Sequence, residues 1–336
     1  MNVVALLIPI LALLQPPAVP KFTAKLYAAD ESVPPGAKTE LAVELTFEKG
    51  WHIYHPIILD TGAPTTISFE APPGVTFGEL RFPAPELEEE GDLKSLSLAG
   101  RVVVLTTLEL AKDIPPGSLV LKSQVYALIC KELCVPVDAT ATLTLNVGPQ
   151  AAAAHAEIFK EAREALPTPL GQAKYIEGSS VAVAPDPVDP NAGAEIVLTI
   201  KVKKGHHIQD RDPGVEGLIP AHLFIEPLDG LRFDEQKWPA AHVREMEGFG
   251  KVREQNGEFK IVVPFAVIDS EFPSGPVALR LLFTYQCCTD AGTCYPPETA
   301  QTVVQFRMHG ATELPADGRP RGTVFAAIFP PGSLPV

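Results

Sequence analysis

Three of the five cysteines fall in one stretch, Tyr285-Gln286-Cys287-Cys288-Thr289-Asp290-Ala291-Gly292-Thr293-Cys294-Tyr295-Pro296-Pro297-Glu298. Closely spaced thiols can form a bridge, exchange disulfides or bind a metal. An alternating apolar run over residues 277–285 precedes them and reads as a strand. Asp290, Ala291 and Gly292 then make a turn. Pro296 and Pro297 remove backbone donors and stiffen the exit. Cys288 and Cys294 therefore stand at the two ends of a short loop, close enough to bond, at the tip of a hairpin.

Parity separates the adjacent cysteines, because side chains alternate faces along a strand. Cys287 shares parity with Leu279, Leu281, Phe283 and Tyr285, and reads as a buried small hydrophobe. Cys288 shares parity with Arg280, Leu282, Thr284 and Gln286, the more polar face, and is expected to face outward. The other two cysteines, in Cys130-Lys131-Glu132-Leu133-Cys134-Val135-Pro136, repeat the arrangement. Cys130 shares parity with Lys122, Gln124 and Tyr126, so it too is expected to face outward.

The elements that position these cysteines are strands. Residues 39–47 alternate, and 101–110, 119–129 and 139–147 read as further strands separated by Pro-Pro-Gly turns. The pattern then starts again. Ile196, Leu198, Ile200 and Val202 repeat Leu41, Val43, Leu45 and Phe47. Lys204-Gly205-His206-His207-Ile208 matches Lys49-Gly50-Trp51-His52-Ile53, and Trp238-Pro239 matches Phe82-Pro83. Cys288 matches Cys130, and Ile129 stands where Cys287 does. The offset of about 155–160 residues is domain-sized.

Residues 150–166 have high helix propensity and stop at Pro167. The expected architecture is all-β, with two tandem β-sandwich domains joined by a short helical linker. Residues 1–20 read as a signal peptide, 21–148 as the first sandwich, 149–171 as the linker, 172–308 as the second sandwich and 309–336 as a tail.

Composition agrees. Thirty-five prolines and 25 glycines in 336 residues suit a turn-rich β protein, and a net charge of −14 argues against nucleic-acid binding. The apolar run 3–14 is too short to span a membrane. Export would place the thiols where disulfides persist.

Two cysteine pairs in an exported sandwich leave structural bridges and exchange both open. Loop size disfavours a purely structural role, since closing about seven residues is worth only about 2 kcal/mol. Zinc or copper held by a cysteine pair with His52 or His207 is a rival chemistry, though two thiols per copy are few ligands. A solvated loop position is the plainer expectation for both histidines. No nucleophile–base set for hydrolysis and no Gly-rich phosphate loop stands out.

The stretch from Tyr285 to Glu298 closely resembles the active site of the N-terminal periplasmic domain of DsbD, the thiol:disulfide interchange protein family of the bacterial inner membrane. The first copy, with Trp51-His52-Ile53-Tyr54, Phe82-Pro83 and the Cys130–Cys134 motif, resembles the divergent disulfide bond corrector branch of that domain.

The resemblance implies immunoglobulin-like sandwiches and a periplasmic thiol:disulfide oxidoreductase with no cofactor. Cys288, Cys294, Cys130 and Cys134 would be its catalytic residues, and Tyr285 and Tyr295 would support the second pair. It implies that Cys294, and by position Cys134, forms the mixed disulfide. It also implies a cap loop over the pair, for which Phe249 is the candidate, with core packing the other reading of that ring.

The family's two tyrosines correspond to His52 and Tyr54 in the first copy and to His207 and Gln209 in the second, so the sequence departs from the family at His52, His207 and Gln209. No membrane relay or thioredoxin-like domain is found in the chain. A thioredoxin-like protein or a membrane electron-relay protein is therefore expected to supply electrons, with exported disulfide-containing proteins as acceptors. The alternative is an extracytoplasmic scaffold module whose disulfides are structural.

Overall fold

The alternation at Leu41, Val43 and Leu45 builds the first core. All three side chains are fully buried in the strand Lys38–Phe47, and each such burial is worth about 1.5–3 kcal/mol. In the computed structural model, which describes residues 20–309 apart from residues 92, 149–152, 247, 249, 270, 271 and 273, this strand lies between Phe22–Ala28 and Arg101–Leu110. The short Val75–Phe77 pairs on the far side of Arg101–Leu110, and all these pairings are antiparallel. The facing sheet runs in the order Ser32–Val33, Cys134–Val147, Gly117–Cys130, His52–Tyr54, Leu93–Ala99 and Glu86–Glu90, with Thr66–Glu70 also on Gly117–Cys130. Its residues Leu121, Val125, Ala127 and Ile129 meet the first sheet in one core.

The second half repeats the plan. Ile196, Leu198 and Ile200 are fully buried in Ala194–Val202. That strand lies between Ile176–Ala184 and Glu258–Val267, with Leu231–Phe233 beyond. The facing layer is divided. One sheet runs Thr168–Pro169, Glu298–Arg307, Pro276–Tyr285, His222–Ile225, and a smaller one runs His242–Met246, Gly250–Gln255, His206–Gln209, Cys287–Thr289. In the first half, Gly117–Cys130 runs unbroken to its cysteine. In the second, the matching strand stops at Tyr285, skips Gln286 and resumes as Cys287–Thr289. Both halves are immunoglobulin-like sandwiches, and the chain is all-β apart from a short helical segment between them.

That helical segment differs from the sequence expectation. Helix α1 spans only Ala156–Glu164, and it does more than connect. Its Ile158, Phe159 and Ala162 pack on Ala42, Val103 and Leu105, on the outer face of the first sandwich. Arg101 ties Glu44 of that face to Glu161 of α1, and Arg163 of α1 reaches Glu40. The reason is visible in the strand sequences. Ala42, Val103 and Leu105 make an apolar patch separate from the core that Leu41, Val43 and Leu45 share with Val102 and Val104, and an amphipathic helix covers such a patch.

The two halves also touch. Ile57 and Leu96 of the first cluster with Phe224 and Leu282 of the second, and Arg280 pairs with Glu79 across the contact. Burial lowers the Arg280 guanidinium to about 10. Burial likewise pushes the nearby Glu226 carboxyl up to about 8, where its Oε2 accepts the Arg280 backbone N–H at 3.3 Å. The face of Pro276–Tyr285 that carries Arg280 and Leu282 is thus covered by the first sandwich. Among the described residues, no helix is long and apolar enough to cross a membrane. Apart from Pro20 and His309, the segments 1–20 and 309–336 lie outside the described residues.

Candidate active site

Cys288 and Cys294 are joined by a disulfide, with their Cα atoms 4.0 Å apart. The loop between them is built from short local bonds. Gly292 N–H donates to Thr289 O at 2.9 Å and Thr289 N–H to Thr293 O at 2.8 Å, and Thr293 N–H donates to Thr289 Oγ1 at 3.0 Å. Gly292 turns the chain at φ 95°, a value that suits glycine. The Asp290 N–H donates to Gly205 O at 3.0 Å, and the Tyr295 N–H to Cys287 O at 2.9 Å. The loop is therefore pinned at both ends.

The sulfurs differ in access. Cys294 is exposed and Cys288 is 0% exposed. The first copy has the same asymmetry at its Cys130–Cys134 disulfide, with Cys134 exposed and Cys130 buried. The expectation that Cys288 and Cys130 face outward is thus corrected. Parity placed them on the right face, but it could not show what covers that face. For Cys288 the cover is the strand His206–Gln209. His207 lies directly opposite, and the Gln209 Nε2 donates to Cys288 Sγ at 3.2 Å. Cys130 is paired with His52 in the same way, and the Tyr54 hydroxyl lies 3.6 Å from Cys134 Sγ.

Cys287 occupies the buried position expected of it, opposite Ile208 as Ile129 is opposite Ile53. Burial, with Glu298 and Asp290 adding to it, pushes its thiol up to about 12. It therefore stays a neutral thiol.

His207 is not a solvated loop residue. It is 0% exposed, which lowers its pKa through desolvation, with Arg244 adding to the effect against Glu254 and Asp290. The imidazole is therefore neutral. Arg244 donates an Nη2–H to Nε2 at 3.0 Å, which places the ring proton on Nδ1, 3.4 Å from Asp290 Oδ1. Arg244 also bonds Glu254 Oε2 at 2.9 Å and Asp290 O at 3.2 Å. The cysteine loop is thereby tied to the hairpin formed by His242–Met246 and Gly250–Gln255. Phe249, the cap candidate, lies outside the described residues.

Tyr285 is buried and donates its hydroxyl to Glu298 Oε2 at 2.7 Å. Burial first, and Glu298 second, raise its pKa, so it supports the site as a neutral phenol. Tyr295 stacks on Tyr175 with centroids 4.6 Å apart and fixes the exit from Cys294. Among the described residues, no three His, Cys, Asp or Glu side chains are grouped to hold a metal ion.

Sequence reasoning did not find Arg244 or Glu254, and it noted Gln209 only as standing where the family has a tyrosine, without giving it a role. For Gln209 there was a signal. It shares the parity of His207, two residues away on a strand that pairs with the cysteine.

No curated protein matches the sequence. Among solved structures, the chain is similar to the N-terminal periplasmic domain of ScsB from Proteus mirabilis, at 11% identity over 85% of this chain and 93% of that one, with a TM-score of 0.45. It is also similar to the reduced DsbD N-terminal domain of Neisseria meningitidis, at 19% identity over 44% and 98%, with a TM-score of 0.26. The complex between DsbD and PilB N-terminal domains from Neisseria meningitidis matches at 22% identity over 40% and 82%, with a TM-score of 0.24. The family model "Thiol:disulfide interchange protein DsbD, N-terminal" matches residues 21–146 and again 172–305. These two matches span most of the chain, and it belongs to the DsbD N-terminal family of thiol:disulfide interchange proteins, with the domain present twice.

Proposed function

We propose that the protein is a periplasmic thiol:disulfide oxidoreductase with Cys288 and Cys294 as its working pair. It takes electrons from a thioredoxin-like dithiol or a membrane electron relay and passes them to exported disulfide-containing proteins. The observation that supports this most is the asymmetry of exposure. An attacking thiolate can reach Cys294 Sγ and cannot reach Cys288 Sγ, which a merely structural bridge would not require.

The steps balance as follows. The donor's thiolate attacks Cys294 Sγ, the Cys288–Cys294 bond breaks, and its electron pair leaves on Cys288 Sγ, which takes up a proton. The donor's second thiolate then attacks its own sulfur in the mixed disulfide and releases Cys294. Two electrons have moved; the donor is oxidised to a disulfide and the pair is reduced. Delivery to an acceptor is the reverse sequence, with Cys294 attacking and Cys288 resolving. We rank Cys130 and Cys134 second for this chemistry, because among the described residues no side-chain hydrogen bond reaches Cys130 Sγ.

The test is transfer itself. Oxidised full chain is mixed with a reduced thioredoxin-like protein, quenched in acid and alkylated. Cys288 and Cys294 are expected to become labelled, and a disulfide-containing exported protein added before the quench is expected to reverse the labelling. Labelling of this pair only after unfolding would point to a structural bridge instead.

A further inference from the structure

Gln209 is 0% exposed, and its side-chain amide is spent on a poor partner. Nε2 donates to Cys288 Sγ at 3.2 Å, yet a disulfide sulfur is a weak acceptor. Its Oε1 is buried and has no hydrogen-bond partner among the described residues. Burying an amide oxygen unpartnered is costly, and an exception of this kind calls for an explanation. The backbone does not force the arrangement out of reach of others. Gln209 N–H is satisfied by Gln286 O at 3.1 Å, and the side chain then points diagonally across to the buried sulfur.

The amide fits the reduced pair better than the oxidised one. When the disulfide opens, Cys288 Sγ becomes a thiolate in a site closed to water. An anionic acceptor makes a hydrogen bond about twice as strong as a neutral one. Once Sγ is protonated, its S–H can donate to the waiting Oε1.

We propose that Gln209 is a catalytic residue of the second domain, whose amide receives the Cys288 sulfur as it leaves with the bond's electron pair and holds it in the reduced state. The inference rests on the exchange reading of Cys288 and Cys294. In the step concerned, a thiolate attacks Cys294 Sγ, the Cys288–Cys294 bond breaks, and the pair of electrons settles on Cys288 Sγ against Gln209 Nε2. Gln209 gives up no proton.

The experiment uses glutathione as the thiol, so its outcome is independent of whether any protein partner exchanges with the chain. Full-length Gln209→Met removes the amide at similar length, and Gln209→Glu replaces the donor by an acceptor at equal size. Each is equilibrated with reduced and oxidised glutathione, and the redox state of each cysteine pair is read by alkylation and peptide mass. The equilibrium constant for reducing Cys288–Cys294 is expected to fall about tenfold in Gln209→Met, equivalent to about 30 mV, and further in Gln209→Glu. The Cys130–Cys134 pair in the same sample is expected not to change. An unchanged constant for Cys288–Cys294, or an equal shift in both pairs, would overturn the proposal.

A second measurement needs no variant. In the wild-type chain, the side-chain amide N–H signals of Gln209 are expected to move downfield on reduction with dithiothreitol. Signals identical in the two redox states would also overturn it.

Discussion

With Cys288→Ser, the chain is expected to form a stable, reductant-sensitive complex with a thioredoxin-like protein, and with Cys294→Ser it is expected to form none. The partner for this test lacks its own resolving cysteine and carries its remaining one as a mixed disulfide with a small aromatic thiol. In Cys288→Ser, the exposed Cys294 thiolate displaces that small thiol and becomes joined to the partner. No second cysteine is then in place to release it. In Cys294→Ser, the remaining thiol is Cys288, which is fully buried opposite His207. Cys287 cannot substitute, because it is buried and its thiol is pushed up to about 12. Gel mobility with and without reductant reads the result. Equal yields from both variants would remove the assignment of roles, and trapping by Cys130→Ser alone would move the active site to the first domain.

Phe159→Ala is expected to destabilise the first sandwich by about 3–5 kcal/mol, the usual cost of emptying an aromatic core position. Phe159 is 1% exposed and packs α1 onto Ala42, Val103 and Leu105. The chain has two tryptophans, and Trp51 and Trp238 fall one in each half. Denaturant unfolding followed in Trp51→Phe and Trp238→Phe backgrounds therefore reads the halves separately. The loss is expected in the signal of Trp51 and not in that of Trp238. A change below about 1 kcal/mol, well short of the core-truncation range, would mean that α1 is only a connector.

Much of this site was legible in the sequence because strands carry a strict period of two. That period identified Leu41, Val43 and Leu45 as core, matched them to Ile196, Leu198 and Ile200, and separated buried Cys287 from the bridged Cys288. The duplication also let one copy interpret the other, since Ile129 and Cys287 occupy one position.

What stayed hidden was cover. Period two says which face a residue takes, and only tertiary packing decides what lies over that face. Arg280 and Leu282 meet the first sandwich, Ala42 meets α1, and Cys288 meets His207 and Gln209. Each had the parity of a solvent-facing residue. Arg244 and Glu254 could not be connected to the cysteines at all, because the strand pairings that bring them to His207 are set by long-range register. The shortness of α1 has a local cause. His155 sits in a left-handed conformation at φ 53°, and the helix starts only after it.

The reduction potential of the Cys288–Cys294 pair in the full chain tests the exchange role most directly. It is read from the fraction of each pair alkylated after equilibration over a series of thiol buffers. The expected value lies within the span of exchange proteins, roughly −120 to −270 mV. A value below about −300 mV, the range of structural bridges in secreted proteins, would contradict it.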